Sequence, residues 1–190
     1  MQRHYFIAIQ LPREVKSYLS EFTRCVSDTY LFQRWVHKED YHITLAFLGP
    51  SKESQWKACM DELRGNIQSF PAFSVRLSHC GVFGATKSPR IFWCGTSEES
   101  KLMSLQKQVA EVCKSHGYRL DEKPFRPHVT LARKYGAEIP FTQSDLNQCD
   151  RLMGDGIVFT VNAITLYESH VEKEQKYQEL QTIYIGEPFS

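Results

Sequence analysis

Residues 41–48 read Tyr-His-Ile-Thr-Leu-Ala-Phe-Leu, and residues 125–133 read Phe-Arg-Pro-His-Val-Thr-Leu-Ala-Arg. The string His-aliphatic-Thr-Leu therefore occurs at His42 and again, nearly unchanged, at His128. Each copy lies in an apolar run of the kind that forms a β-strand. Side chains i and i+2 of a strand share a face, so each histidine points the same way as the threonine two residues later. Two such strands would bring two imidazoles and two hydroxyls into one cleft.

This set of side chains suits acid–base chemistry on a phosphate ester. Imidazole has an unperturbed pKa of about 6.5, so it can give or take a proton near neutral pH. Threonine hydroxyls can donate hydrogen bonds to phosphate oxygens on which charge develops. One copy of so short a motif is a weak signal, whereas two copies with similar flanks are a stronger one. The alternative is two half-buried strands whose histidines are hydrogen-bonded structural residues.

The composition limits the function classes. The chain has 190 residues, 42% of them hydrophobic and 13% aromatic, as in a globular protein. A net charge of +1 argues against a protein that coats long nucleic acid, but it allows a small basic site for one phosphate. Six scattered cysteines without zinc spacing favour reduced thiols in the cytosol. The apolar run near the N-terminus is too short for a signal peptide or a membrane span, so we expect a soluble cytoplasmic protein.

The rest of the sequence mixes strand-like runs with amphipathic stretches. Helices are predicted from Pro12 to about Thr29, from Ser51 to about Ile67, and from Ser97 or Ser100 to Gly117. Residues 134–153 are polar and predict a loop with a short helix. Neighbouring strands joined by short loops predict an α+β protein with antiparallel sheets and helices on the outer faces. The predicted strands cover residues 5–9, 33–36, 41–48, 73–82, 90–94, 125–133, 157–167 and 177–185.

The flanks of both motifs resemble those of the two-histidine (2H) phosphoesterase superfamily, and within it the bacterial and archaeal RNA 2′,3′-cyclic phosphodiesterases, historically called 2′-5′ RNA ligases. The shared features are Trp35-Val36 before the first motif, Phe47-Leu48-Gly49 after it, and the whole of residues 125–133. The resemblance covers essentially the entire chain. Departures are small: His37 stands where a proline is common, and residues 134–136, which follow Arg133, lie where members vary.

The resemblance implies one domain over residues 1–190, bilobal, with duplicated antiparallel β-sheets, outer helices and a pseudo-twofold axis. The active site would lie in the cleft between the lobes and would need no metal or other cofactor. The implied reaction is hydrolysis of RNA or oligonucleotide 2′,3′-cyclic phosphate ends to a 2′-phosphomonoester. His42 and His128 are the implied catalytic pair. The sequence does not decide which of them is the acid and which the base, and we choose His42 as the general acid and His128 as the general base. The implied phosphate-binding residues are Thr44, Thr130 and Arg133.

Other candidate residues carry weaker signals. Arg133 lies five residues after His128, an odd spacing that reaches the site only if the strand ends or twists there, and it could instead be a solvated strand-end residue. Aromatic residues could offer faces for base stacking, although packing in the core is their commoner role. The candidates for stacking are Phe47, Phe92 and Tyr135, along with Tyr5 and Phe83. Isolated arginines that could attract RNA phosphates are Arg3, Arg34, Arg90 and Arg126.

Several alternatives stay open at this stage. Ligation of 2′-5′ RNA ends is the reverse reaction, and water should make hydrolysis dominant unless the site excludes it. Another cyclic phosphate, such as one derived from ADP-ribose, is possible within the superfamily. A non-catalytic RNA-end-binding module would predict a degraded motif and a more basic surface. A metallohydrolase would need ligands near the motifs, and Glu39, Asp40 and Asp121 lack recognisable spacing. We expect a monomer whose partner is RNA or an oligonucleotide.

Overall fold

The computed structural model describes residues 3–186. Within them the helices are α1 (Arg13–Ser27), α2 (Glu53–Ile67), α3 (Ser100–Ser115) and α4 (Gln143–Met153), and a 3₁₀ turn covers Lys38–Asp40. The strands are β1 (His4–Gln10), β2 (Phe32–Trp35), β3 (His42–Pro50), β4 (Phe73–Ala85), β5 (Ser88–Thr96), β6 (His128–Tyr135), β7 (Ile157–Val161), β8 (Ala163–Ser169) and β9 (Tyr177–Tyr184).

The strands form one antiparallel sheet in the order β7-β4-β5-β6-β3-β1-β8-β9, and β2 pairs with β6. Within residues 3–186, β3 and β6 are paired only through Ile43 and Val129, whereas the other neighbouring strands share longer ladders. The sheet therefore consists of two halves, each with one motif strand. The predicted α+β fold of antiparallel sheets with outer helices is confirmed. The description of residues 1–190 as one domain of two pseudo-symmetric lobes stays a prediction.

The helices cover one face of this sheet. α3 lies behind β3 with α2 packed against it, α4 lies behind β4, and α1 lies behind β7. Because side chains alternate along a strand, Ile7, Ile43 and Val129 point into the same core and are fully buried. That core is continuous across both halves of the sheet. The opposite face is left for the motif side chains. No helix within residues 3–186 is both long enough and apolar enough to span a membrane, and the cytoplasmic location stays a prediction.

The helical stripes predicted from the 3.6-residue period are confirmed. On α1, Val15, Leu19, Phe22 and Val26 are all buried. The corresponding residues of α2 and α3 are buried as well. Gly117 follows α3 with φ +82°, a conformation that favours glycine at the end of a helix.

The predicted helix starts were less accurate. Pro12 is the N-cap of α1 and not its first helical residue. Ser51 does not cap α2, since Lys52 holds that position and the Ser51 hydroxyl shares a 2.6 Å hydrogen bond with the hydroxyl of Tyr118. The N-cap of α3 is Glu99, whose carboxylate accepts from the Lys101 N–H. At α2 the expected capping hydroxyl is used in a tertiary contact, and at α3 a neighbouring residue provides the cap.

Two strands also differ from prediction. β6 begins at His128 and not at residue 125, because Pro127 has no N–H to donate to a ladder. The run 157–167 is two strands, since β7 pairs with β4 and β8 pairs with β1. The uncertain stretch 134–153 contains all of α4, whose start is fixed by a capping box between Thr142 and Asp145.

Candidate active site

The two motifs meet where the halves of the sheet join. Ile43 and Val129 are direct cross-strand partners and point into the core. The histidine and threonine on either side of each partner therefore project from the opposite, open face. On adjacent antiparallel strands, diagonal residues lie about 7–8 Å apart, which places His42 and His128 on either side of a gap that a phosphate group could fill. The four motif side chains are half-buried along this gap.

Each imidazole is held by the same local contact. The Nδ1–H of His42 donates to the carbonyl oxygen of Asp40 at 2.6 Å, and the Nδ1–H of His128 donates to the carbonyl of Arg126 at 2.7 Å. Both acceptors lie two residues before the histidine. With Nδ1 used in this way, Nε2 of each neutral ring has a free lone pair. The Nε2 of His42 accepts from the Thr44 hydroxyl at 3.0 Å, a contact that a bound phosphate would replace.

Matching β-bulges follow the two motifs. Between β1 and β3, the register passes from Ile7 opposite Ala46 to Ala8 opposite Thr44, so Leu45 is the extra residue. Between β5 and β6, Leu131 is the extra residue in the same way. A bulge shifts the alternation of side chains by one position. In both strands Leu-Ala is consecutively buried, and the next residue is exposed on the motif face.

The bulge accounts for the odd spacing of Arg133. In a regular strand, a residue five positions after His128 would point into the core, but the extra residue at Leu131 returns Arg133 to the cleft. Burial lowers the pKa of both histidines, and the nearby positive charge of the Arg133 guanidinium acts in the same direction. Burial raises the pKa of Tyr177, and the charge of Arg133 opposes that shift. The equivalent residue after the first bulge is Phe47, so the two motifs present different side chains at this position.

His42 lies in an aromatic pocket of its own half. Its ring centroid is 4.8 Å from that of Phe6 and 5.0 Å from that of Tyr177, which packs edge-on at 89°. Tyr167 stacks on Phe6 with centroids 5.2 Å apart, and its ring lies 6.2 Å from that of His42. Burial lowers the pKa of His42 to about 4, and the nearby charges of His128 and Arg133 act in the same direction, while the Asp40 carbonyl opposes them. His42 is therefore neutral at pH 7.

Asp40 joins this pocket to a distant part of the chain. Its buried carboxylate accepts the backbone N–H of Lys176 at 3.0 Å to each oxygen and that of Tyr177 at 3.2 Å. Its own carbonyl meanwhile holds His42. One residue thus sets both the orientation of the imidazole and the position of the tyrosine packed against it. No sequence pattern singles out Asp40 for this role, because its partners lie more than 130 residues away.

His128 has fewer aromatic neighbours. Phe83 packs edge-on against it with centroids 5.0 Å apart, and Trp93 lies at 5.9 Å. Gly81, the cross-strand partner of Trp93, leaves room for the indole, since a Cβ there would collide with the ring. Burial lowers the pKa of His128 as well, with help from Arg133 and opposition from the Arg126 carbonyl. The His128 site is the more open of the two.

The predicted stacking residues fall in different places. Phe47 is 56% exposed and lines a groove beside Thr44 and His128. Phe92 is fully buried in the core, so its proposed role in base stacking is wrong. Tyr135 is half-buried between Phe32 and Phe141, and its hydroxyl donates to the Ile139 carbonyl, so it presents no free face to the cleft. Sequence alone could not separate them from Phe47, because strand pairing and the bulges at Leu45 and Leu131 decide which strand positions face the cleft.

Comparison with known proteins places the chain in a family. The sequence profile described as the 2′-5′ RNA ligase superfamily matches residues 11–173, which is most of the chain. The chain belongs to this superfamily, the 2H phosphoesterases. The predicted family is therefore confirmed.

The relatives of this 2H phosphoesterase include bacterial proteins. An RNA 2′,3′-cyclic phosphodiesterase of Geobacillus stearothermophilus is 41% identical over 175 residues, which are 92% of this chain and 55% of that protein. An RNA 2′,3′-cyclic phosphodiesterase of Bacillus subtilis (strain 168) is 27% identical over 183 residues, 93% of each chain. The chain thus spans about half the length of the first relative and nearly all of the second.

A solved structure shares the fold of this 2H phosphoesterase. E. coli LigT, crystallised in complex with 3′-AMP, superposes with a TM-score of 0.76 over 97% of this chain and 99% of that one. Sequence identity between the two is 23%. At this level the likeness concerns the fold, which supports the two-half sheet described above.

Proposed function

We propose that this chain hydrolyses 2′,3′-cyclic phosphate ends of RNA or oligonucleotides to 2′-phosphomonoesters, using two histidines and no metal ion. The observation that carries the proposal is the pair of imidazoles placed on opposite sides of one gap, each with Nδ1 fixed by a backbone carbonyl. Several curated relatives are named RNA 2′,3′-cyclic phosphodiesterase, which supports the predicted enzyme class.

The chemistry needs a base and an acid on opposite sides of phosphorus. One imidazole removes a proton from water, the water oxygen bonds to phosphorus, and the bond from phosphorus to O3′ breaks. The other imidazole gives its proton to O3′, which leaves the phosphate on O2′. Each well-placed proton transfer is worth about 10²–10⁴-fold in rate. Thr44 and Thr130 would donate hydrogen bonds to the non-bridging oxygens, and Arg133 would stabilise their negative charge.

We assign His42 as the acid and His128 as the base. Burial lowers the pKa of His42 to about 4, so this imidazole carries no proton to donate at neutral pH. The assignment therefore requires the anionic diester to raise the pKa of His42 when it binds. The apparent pKa values of the two imidazoles then belong to the interacting pair. A bell-shaped dependence of kcat on pH is the expected consequence.

In the proposed mechanism the two histidines act without a metal ion. Within residues 3–186, no three His, Cys, Asp or Glu side chains are grouped so that they could hold a metal ion. The carboxylate nearest His42 in sequence, that of Asp40, is already occupied by backbone N–H groups. RNA as the partner, and a monomeric state, remain predictions.

The test is turnover of an oligonucleotide with a 2′,3′-cyclic phosphate end in EDTA, with phosphorus NMR to identify the product. Wild type should give a 2′-phosphate, and His42→Ala and His128→Ala should each lose about 10²–10⁴-fold in kcat. Loss of wild-type activity in EDTA, restored by a divalent ion, would contradict the metal-free mechanism. Tight binding without turnover would favour an RNA-end-binding module, and turnover of a different cyclic phosphate alone would identify another substrate.

A further inference from the structure

The cleft continues beyond the histidines in two directions. One extension, the aromatic arm, has a volume of about 500 Å³ and includes Thr44, Phe47, Phe125 and His128 in its lining. The other, the cationic arm, has a volume of about 350 Å³ and includes Arg34, Trp35, Arg133, Lys176 and Tyr177 in its lining. The cationic arm is bounded by the loop before the first motif and by Arg133 after the bulge of the second. The aromatic arm is bounded by the loop before the second motif and by Phe47 after the bulge of the first.

Two arginines in the cationic arm face each other. Arg34 on β2 and Arg133 on β6 are direct cross-strand partners, so their side chains leave the same face of the sheet. Like charges in directly opposed positions destabilise a sheet. Within residues 3–186, neither guanidinium has a carboxylate within ion-pair distance. A bound anion between them would turn this repulsion into attraction.

The carboxylates of the arm do not neutralise it. Asp40 is buried, and its oxygens accept the backbone N–H groups of Lys176 and Tyr177. The same contact fixes the backbone from which the Lys176 side chain extends into the arm. Glu174 is exposed at the rim and forms no ion pair among the described residues. The arm therefore presents three cations, Arg34, Arg133 and Lys176, to one exposed carboxylate.

The covalent structure of an RNA end decides which group enters which arm. A 2′,3′-cyclic phosphate is fused to the C2′–C3′ edge of the ribose. The base is attached at C1′, beside C2′, and the upstream chain leaves through C4′ and C5′, beside C3′. With phosphorus between the two histidines, the base and the upstream chain must leave toward opposite sides. An exposed phenylalanine suits a base, and opposed arginines suit a phosphate.

We propose that Arg34 and Lys176 bind the internucleotide phosphate immediately upstream of the cyclic end, that Arg133 lies between this phosphate and the cyclic one and contacts both, and that Phe47 contacts the terminal base. This inference rests on the proposed function and specifies its substrate. The preferred substrate is an oligonucleotide, and a mononucleoside cyclic phosphate leaves the cationic arm without its ligand. Arg34 and Lys176 then determine specificity and do not take part in the chemical step.

The experiment compares three substrates by kcat/KM. The first is adenosine 2′,3′-cyclic phosphate, the second is a dinucleotide with the same end, and the third is that dinucleotide with an uncharged methylphosphonate linkage. Wild type should prefer the charged dinucleotide by about tenfold or more over either of the others, as for a hydrogen bond to a charged group. Arg34→Gln and Lys176→Gln should each reduce this preference and leave the mononucleoside rate unchanged.

Two control variants separate charge and stacking from this effect. Arg64→Gln, at the exposed end of α2 in the helical layer, removes the same charge and should preserve the preference. Phe47→Ala should slow all three substrates by a similar factor, because each has the terminal base. Equal wild-type rates on charged and uncharged dinucleotides would overturn the proposal, as would an equal loss by Arg34→Gln on every substrate. Failure of wild type to hydrolyse any of the three would overturn the proposed function and this inference with it.

Discussion

The two motif strands share one backbone plan but differ in what surrounds it. Each has a histidine fixed through Nδ1 by the carbonyl two residues earlier, a threonine on the same face, and a bulge at the leucine. The first motif then places its histidine against three aromatic rings and an anchored carboxylate, whereas the second has two rings and a more open setting. After the bulge, one presents Phe47 and the other Arg133. The repeated motif supplies the same histidine and threonine to both halves of the site, and the different surroundings give the two histidines distinct roles.

The largest difference between the two histidines is expected with a substrate whose leaving group needs no general acid. If the upstream chain lies in the cationic arm, O3′ leaves on the side of His42, which makes His42 the acid. A cyclic phosphate with sulfur in place of O3′ has a leaving thiolate that needs little protonation. His42→Ala should lose about 10²–10⁴-fold with the oxygen substrate and far less with the sulfur substrate.

His128→Ala is the matched control for this measurement. Its loss should be similar for both substrates, since water must still be deprotonated. Rates of both variants on both substrates, with circular dichroism to verify folding, complete the test. If the sulfur substrate restored the rate of His128→Ala and not that of His42→Ala, the assigned roles would be reversed.

A smaller effect on activity is expected from substitution of Asp40, whose carboxylate has no counterpart beside His128. Asp40→Ala leaves the N–H groups of Lys176 and Tyr177 without their acceptor, which should cost about 1–3 kcal/mol of unfolding free energy. Tyr177 would also lose its fixed position against His42, so kcat should fall by more than the change in KM. Denaturant unfolding and steady-state kinetics measure the two effects.

The conservative variant Asp40→Asn keeps one acceptor oxygen and should be intermediate in both measurements. An NMR titration of His42 is the readout that separates positioning from stability alone. A change in that titration is expected for Asp40→Ala. An unchanged titration and kcat, with reduced stability, would show that Asp40 acts only on the fold.

The smallest expected effect compares the two histidines through the pH dependence of stability. In the folded protein both histidines have a pKa below the unfolded value of about 6.5. As the pH falls below about 6.5, the unfolded chain therefore binds more protons than the folded protein does. The unfolding free energy should therefore decrease from about pH 6.5 toward pH 4. Replacing His42 by Gln should remove roughly 1–3 kcal/mol of this decrease, and replacing His128 should remove less, because its site is more open.

Denaturant unfolding of wild type and both variants between pH 4 and pH 7 measures the difference. A profile in which His128→Gln flattens the curve more than His42→Gln would contradict the order of burial. The variants are compared at matched ionic strength, because the charge of Arg133 acts on both sites.

Much of the site followed from local patterns. The alternation of side chains in a strand places His42 with Thr44 and His128 with Thr130 on one face, and the structure has this arrangement. The helical stripes and the family membership followed from similarly local signals. These features depend on residues close in sequence, where periodicity and motif spacing carry the information.

The features that escaped prediction depend on pairing between distant segments. The bulge at Leu131 is defined by its partner strand β5, so the face taken by Arg133 could not be read from β6 alone. Which face of β5 is buried depends on the same pairing: Trp93, opposite Thr130, lies on the motif face, and by ordinary alternation Phe92 lies in the core. Asp40 acts on a segment more than 130 residues later. Capping by Ser51 failed for a similar reason, because its hydroxyl contacts Tyr118.

Within residues 3–186, the pair of Ile43 and Val129 is the one β-ladder contact between β3 and β6, and it affects how rigidly the two halves of the sheet are held together. A ladder of one residue pair resists bending much less than the long ladders within each half, so it acts as a compliant joint. The distance between the two imidazoles is then set mainly by how the helices pack behind the sheet, where a continuous core spans the joint. Packed interiors transmit small changes in volume. Substitutions deep in the helical layer, far from any phosphate, should therefore tune the fit of the substrate by opening or narrowing the angle between the halves.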